Sequence, residues 1–291
     1  MIPGIDVSHW QSDIDWSEVK RSGVKFAFIK ATEFPDKKTA LFVDNKCQEN
    51  INGAKANGIH WSAYHFFRTH IDPVIQAQSY CETIGEFSSL PPVLDLEAAG
   101  SKGERLNHKV RMFLEEVEKI THRKPIIYTS GGFWRSYMAY EKRAHTDWAR
   151  EYPLWMAQYT TLWPGSIYPW AAWDFWQYSD KGKLPGIKTH VDLNWFVGSE
   201  AELIEKFVNS RIPTIPVYQF EEDDVLVGQI NETELSSGSP SSKSFYEENY
   251  RGDYQDFEEK DASGKRVNAI PGNKNPKYTS NEQNWIREYF F

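Results

Sequence analysis

Apolar residues in the first 210 positions fall into short runs separated by longer amphipathic stretches. Eight runs read as strands: GIDVS (4–8), KFAFIKA (25–31), IHWSAYHFF (59–67), PPVLDLE (91–97), KPIIYTS (124–130), PLWMAQY (153–159), WDFWQYS (173–179) and HVDLNWF (190–196). Three spacers carry the helical period. TALFVDNKCQENINGAKANG (39–58) ends in Gly58, a natural helix stop. DPVIQAQSYCETIGEF (72–87) puts Pro73 at a helix start, where its missing N–H costs nothing. LNHKVRMFLEEVEKI (106–120) sets Val110, Phe113, Leu114 and Val117 at helical spacing. Beyond Tyr159 the spacers become rich in Trp, Pro and Gly and lose that period.

Strands alternating with helices predict an α/β fold, here an irregular (β/α) TIM-like barrel. An open doubly wound sheet gives the same pattern, and periodicity alone does not separate the two. The pattern stops near residue 210. RIPTIPVYQF carries two prolines, and EEDD, NETELSSGSPSSKS and YRGDYQDFEEKDASGKR follow, all polar and poor in apolar periodicity. The expected organisation is a catalytic barrel over 1–209 and a largely irregular acidic extension over 210–291. Scattered aromatics in the extension, among them Phe220, Tyr250 and Trp285, are candidate anchors for a docking arm.

Charge follows the same division. Residues 1–210 hold 24 Lys and Arg against 26 Asp and Glu, whereas residues 211–291 hold 9 against 15. A near-neutral body with an acidic tail argues against nucleic-acid binding. No run reaches the ~18 apolar residues that a membrane-crossing helix needs. The opening MIPGIDVSHWQ lacks the basic start and apolar core of a secretory signal. The two cysteines, Cys47 and Cys81, lie in helix-like stretches without metal-like spacing and are expected free and buried. Any one of the 12 Trp is read as core, although aromatic-rich clefts also grip sugars.

The candidate chemistry is acidic. In VLDLE, Asp95 and Glu97 share one face of a strand and Leu94 and Leu96 the other. Two adjacent carboxylates at the C-terminal end of a barrel strand push one pKa upward, leaving one acid protonated beside an ionised partner. Glycoside hydrolysis uses such a pair. Asp6 in the first strand and Asp192 in the last sit among apolar residues and become neighbours if the barrel closes. Lys30, His65, Tyr128 and Gln177 are further polar residues inside strands, with Tyr64 facing away from His65. His65 reads as a hydrogen-bonded core histidine. No zinc-like spacing, phosphate loop or serine triad stands out.

Taken in order, GIDVSHWQ, FAFIKATE, LFVDNKCQENINGAKANGI, SAYHFF, VLDLE, PIIYTS, LWMAQY, DFWQYS and VDLNWF resemble glycoside hydrolase family 25, the Chalaropsis-type lysozymes of phage endolysins, bacteria and fungi. The resemblance covers residues 1 to about 209. It implies cleavage of the β-1,4 bond between N-acetylmuramic acid and N-acetylglucosamine, with no metal or organic cofactor. Glu97 would be the general acid. Asp95 would be either the nucleophile or the group that orients the 2-acetamido substituent. Asp6 and Asp192 would line the pocket, and Tyr64, Tyr128 and Gln177 would contact substrate. It also implies peptidoglycan as the partner, and the missing secretory signal and the acidic tail point to a phage source. The protein would act either as an endolysin freed through a holin or as a lysozyme built into a virion tail or baseplate through residues 210–291. Phe34 after Glu33 departs from the family's usual Gly and is expected at the cleft rim. Two other readings stand beside this one: a non-catalytic glycan-binding or structural protein on the same barrel, and a chitinase-like enzyme.

Overall fold

A computed structural model describes residues 1–35, 40–85, 89–139, 145–160 and 162–209. The expected extension 210–291 and its docking arm lie outside the described residues.

The strands are β1 (Ile2–Val7), β2 (Phe26–Glu33), β3 (Phe42–Val43), β4 (His60–Phe66), β5 (Val93–Asp95), β6 (Ile126–Ser130), β7 (Leu154–Ala157), β8 (Phe175–Gly182) and β9 (Val191–Phe196). All eight predicted strands form. They pair in the order β1-β9-β8-β7-β6-β5-β4-β2, and β1 also pairs with β2, so the sheet closes into a barrel rather than lying open. β3 adds to the edge of β2, antiparallel.

Barrel strands face two apolar layers, so they read as near-continuous hydrophobic runs. Alternate residues divide between the layers. Phe26, Phe28, Val93, Ile126, Trp155, Phe175 and Phe196 fill the barrel interior. Ala27, Ile29, Leu94, Ile127, Met156, Trp176 and Trp195 point outward against the helices. Gly4 is required by this packing, because a Cβ there would lie 2.3 Å from the Phe26 ring. Leu203 and Phe207, on the helical segment that follows β9, close the lower end of the barrel, with the Phe207 ring 5.2 Å from Phe175.

The helices are α1 (Trp16–Arg21), α2 (Cys47–Ala56), α3 (Pro73–Ile84) and α4 (Gly103–Thr121), followed by short turns. Pro73 is the first residue of α3, and Asp72 caps it by accepting from Val74 N and Ile75 N. The predicted stripe of α4 (Val110, Phe113, Leu114, Val117) is fully buried. Gly58 follows α2 with φ +62°, as a helix stop requires. Cys47 and Cys81 are free and buried, and burial pushes both thiols up to about 12.

The structure differs from, or adds to, the periodicity at four points. The stretch 39–58 is not helical throughout: α2 begins only at Cys47. Upstream, Phe42–Val43 pairs with β2, and the Asp44 side chain accepts from Lys46 N at 2.9 Å to form the turn into the helix. The last strand runs antiparallel to both neighbours, because the link from Gly182 to Val191 is too short for the crossover that a parallel strand needs. α1 was not expected at all; it starts where Asp15 accepts from Ser17 N and Glu18 N. Phe34, just past the end of β2, turns its ring into the interior: it is 4% exposed and edge-on to His65.

Candidate active site

The interior changes character toward the C-terminal ends of the parallel strands. Above the apolar layer, the inward positions become Asp6, Tyr64, Asp95, Tyr128, Gln177, Asp192 and Asn194. Strand alternation puts them there. Asp6 lies two residues beyond Gly4, Asp95 two beyond Val93, Tyr128 two beyond Ile126, and Gln177 two beyond Phe175. Cross-strand register brings Asp6 directly opposite Asp192.

Gln177 is the hub of this layer. Its Nε2 donates to Asp6 Oδ2 at 2.9 Å and to Asp192 Oδ2 at 3.2 Å. Its Oε1 accepts from Tyr128 OH at 2.9 Å and from Tyr159 OH at 3.0 Å. Asn194 Nδ2 donates to Asp6 Oδ2 at 2.7 Å, and Asn194 Oδ1 accepts from Trp155 Nε1 at 2.8 Å. Both amides thus turn their nitrogens toward carboxyl groups and their oxygens toward N–H or O–H donors.

Asp95 ends β5 and is 6% exposed, with Oδ1 buried and without a hydrogen-bond partner. Glu97 lies just beyond the strand, not on it as expected, and opens toward solvent at the mouth. Leu94 and Leu96 point into the outer core, as the alternation predicted.

Burial is the first cause of every raised acid here. It lifts Asp95 well above the usual carboxylate range, and the Glu97 charge adds to the lift while Lys30 opposes it. Burial also raises Glu97. Lys30 and Arg68 pull it back, and Asp192 pushes it further up. Asp6 is raised well above its ordinary value by burial and by Asp192, with the Asn194 and Gln177 bonds working the other way. Asp192 is lifted to about 6, again by burial first, with the bond to Asp6 lowering it. The charges of Asp95, Glu97 and Asp6 all bear on the Tyr128 hydroxyl, and those of Asp6, Asp95 and Asp192 on Tyr64, so these groups share one pocket. Such a cluster holds protons near neutral pH that isolated carboxylates would have lost.

The sequence-predicted residues Asp6, Asp95, Glu97, Asp192, Tyr64, Tyr128 and Gln177 therefore come together at one end of the barrel. Lys30 joins them at the rim. A register shift in β2 between Lys30 and Thr32 puts Lys30 and Glu33 on the same side, 2.5 Å apart, with Arg68 3.5 Å from Glu33. His65 faces the helices, bonded to Thr32 and Gln76 and pushed down to about 4 by burial, as a core histidine. Sequence reasoning missed Asn194, Tyr159 and Arg68. Strand alternation could have found the first, two residues after Asp192; Arg68 carries no such signal. Among the described residues no three His, Cys, Asp or Glu side chains gather to hold a metal ion.

The chain matches the family described as glycosyl hydrolases family 25 over residues 5–187. It is 38% identical over 210 residues to the uncharacterized protein YegX of Escherichia coli O157:H7, covering 69% of this chain and 72% of that one. It is 33% identical over 215 residues to Lysozyme M1 of Streptomyces globisporus, covering 70% of each. Among solved structures, the bacterial lysozyme of Streptomyces coelicolor superposes with a TM-score of 0.65 at 32% identity, covering 72% of this chain and 97% of that one.

Proposed function

The chain belongs to glycosyl hydrolases family 25 and is a muramidase, and on that premise we propose that Glu97 and Asp95 are its working carboxylates. The bond cleaved is the β-1,4 link between N-acetylmuramic acid and N-acetylglucosamine in peptidoglycan. The observation that carries the proposal is the coupled pair itself. A raised Glu97 stands at the open mouth beside a buried Asp95 whose Oδ1 has no partner.

Glu97 gives its proton to the glycosidic oxygen as the C–O bond breaks and the sugar takes on oxocarbenium character. Asp95 then attacks the anomeric carbon or orients the 2-acetamido group for internal attack. Both roles need Asp95 as a carboxylate with a free lone pair; Oδ1 has that lone pair, and the nearby Lys30 charge, which pulls the Asp95 pKa down against burial, favours the ionised form. Water completes the hydrolysis as Glu97 recovers its proton. Asp6 and Asp192, held by Gln177 and Asn194, line the far wall. Tyr64, Tyr128 and Gln177 shape the sugar-binding floor.

The test is clearing of purified peptidoglycan by wild type and Glu97→Gln, with analysis of the new reducing ends. Removing a general acid should slow the reaction ~10²–10⁴-fold. Clearing at the wild-type rate by the variant would sink the assignment of Glu97. A folded wild type that binds wall but never cleaves it would return the non-catalytic scaffold reading.

We also read the chain as phage-encoded, on the acidic stretch 211–291 that the family match does not reach. Removing residues 210–291 should spare hydrolysis and abolish incorporation into virions. Incorporation surviving the truncation would end the docking-arm idea.

A further inference from the structure

An aromatic platform stands beside the pocket and has no part in the chemistry described above. β1 leaves the barrel at Val7 and enters a single tight turn, His9–Gln11. Trp10, at its centre, is 73% exposed. A lone exposed aromatic needs no explanation, but this one is built in from below. The Trp10 ring leans over the His9 imidazole, with centroids 4.7 Å apart, and His9 meets the Phe42 ring at 5.9 Å. His9 is itself pinned. Its Nδ1–H donates to Asp44 Oδ2 at 2.7 Å and its backbone N–H donates to the same oxygen at 3.0 Å, on a carboxylate whose side chain is fully buried.

The turn is also tied at both ends. Ser8 and Gln11 form a reciprocal cap, and Gln11 Nε2 reaches across to the His190 carbonyl at 3.1 Å, at the start of β9. β9 is antiparallel, so its start lies at the mouth of the barrel, two residues before Asp192. The Asp44 charge bears on the Tyr64 hydroxyl inside the pocket. Trp10 therefore sits on the catalytic end of the barrel, joined to the strands that carry Asp6 and Asp192.

A large apolar ring held rigid and left open to water stabilises nothing in the fold. It loses little further entropy when a flat apolar face settles on it. The substrate of a muramidase is a long strand of pyranose rings, each with such a face, and it runs past both sides of the bond being cut. We propose that Trp10, backed by His9, Phe42 and Asp44, is a stacking subsite for a pyranose of the glycan strand beyond the two sugars flanking the cleaved bond. The proposal rests on the muramidase reading above. It makes strand length, not only the bond itself, a determinant of binding.

The test uses the full chain in the Glu97→Gln background, so that strands survive the measurement. Dissociation constants are measured by calorimetry for a peptide-free disaccharide, which covers only the two sugars flanking the bond, and for long peptide-free glycan strands, with and without Trp10→Ala. Loss of an aromatic anchor should weaken long-strand binding about tenfold or more. The loss should be clearly larger for long strands than for the disaccharide, and Trp10→Phe should recover part of it. Circular dichroism checks that the exposed substitution leaves the fold intact. Equal affinity of the two proteins for long strands would overturn the subsite and point to another occupant, such as a protein or lipid surface. An equal loss on both ligands would also overturn it, by marking a structural role. The parent reading is judged separately by wall clearing. If Glu97→Gln clears peptidoglycan at the wild-type rate, the acid assignment fails whatever Trp10 does.

Discussion

Exchanging Gln177 for Glu tests the hub of the polar layer with almost no change in volume. Both tyrosine hydroxyls can still donate to a carboxylate, so the Tyr128 and Tyr159 bonds survive. What disappears are the two N–H donors to Asp6 and Asp192, replaced by an oxygen. Burial raises both acids, Asp6 well above its ordinary value and Asp192 to about 6. Two lost hydrogen bonds, at about 0.5–1.5 kcal/mol each, come to about 1–3 kcal/mol. That is a large fraction of the roughly 5–15 kcal/mol stability of an ordinary domain. The new carboxyl faces Asp192 and must stay charged against it or take up a proton, so its folded pKa rises above the ordinary ~4.3 for Glu. A carboxyl raised on folding favours the native state below its unfolded pKa, and that stability is lost as pH rises through its folded value. The deficit of Gln177→Glu relative to wild type should accordingly be larger at pH ~8 than at pH ~5. Urea unfolding followed by tryptophan fluorescence at the two pH values measures it. A deficit under about 0.5 kcal/mol, or one unchanged between them, would refute the hub.

The wild-type pocket should show the same sign. Asp192 is raised from 3.8 to about 6, so its contribution is present below pH 3.8 and fades through pH 6; Asp192→Asn should gain on wild type in melting temperature as pH rises across that window. The opposite trend would contradict the burial assigned to Asp192. Gly4→Ala should destabilise by about 1–3 kcal/mol, because its Cβ would meet the Phe26 ring inside a barrel already filled by Phe28 and Phe175. A denaturation midpoint matching wild type would show that the ring has room to move.

The strands were legible in the sequence, and so was the division of their residues between two faces. That information is local, because a strand alternates with period two whatever it pairs with. Ile127 against Tyr128 and Trp176 against Gln177 were separable on that basis, and so was Asp95 with its outward neighbours Leu94 and Leu96. The helical stripe of α4 and the start of α3 at Pro73 were legible for the same reason: each depends on residues within a few positions of one another.

Pairing decided the rest. Closure of the barrel, the reversal of β9 and the register that sets Asp6 opposite Asp192 depend on partners far apart in the chain. So do the join of His9 to Asp44 and the convergence of Tyr128, Tyr159, Asp6 and Asp192 on Gln177. The end of β5 at Asp95, which leaves Glu97 at the open mouth, was likewise hidden from alternation. Local pattern states which side chains share a face; only the folded chain states which face is inside and what it meets there. In this protein that meeting, four acids gathered at one end of the barrel and partly or fully withdrawn from water, raises the carboxyl pKa values on which the proposed chemistry depends.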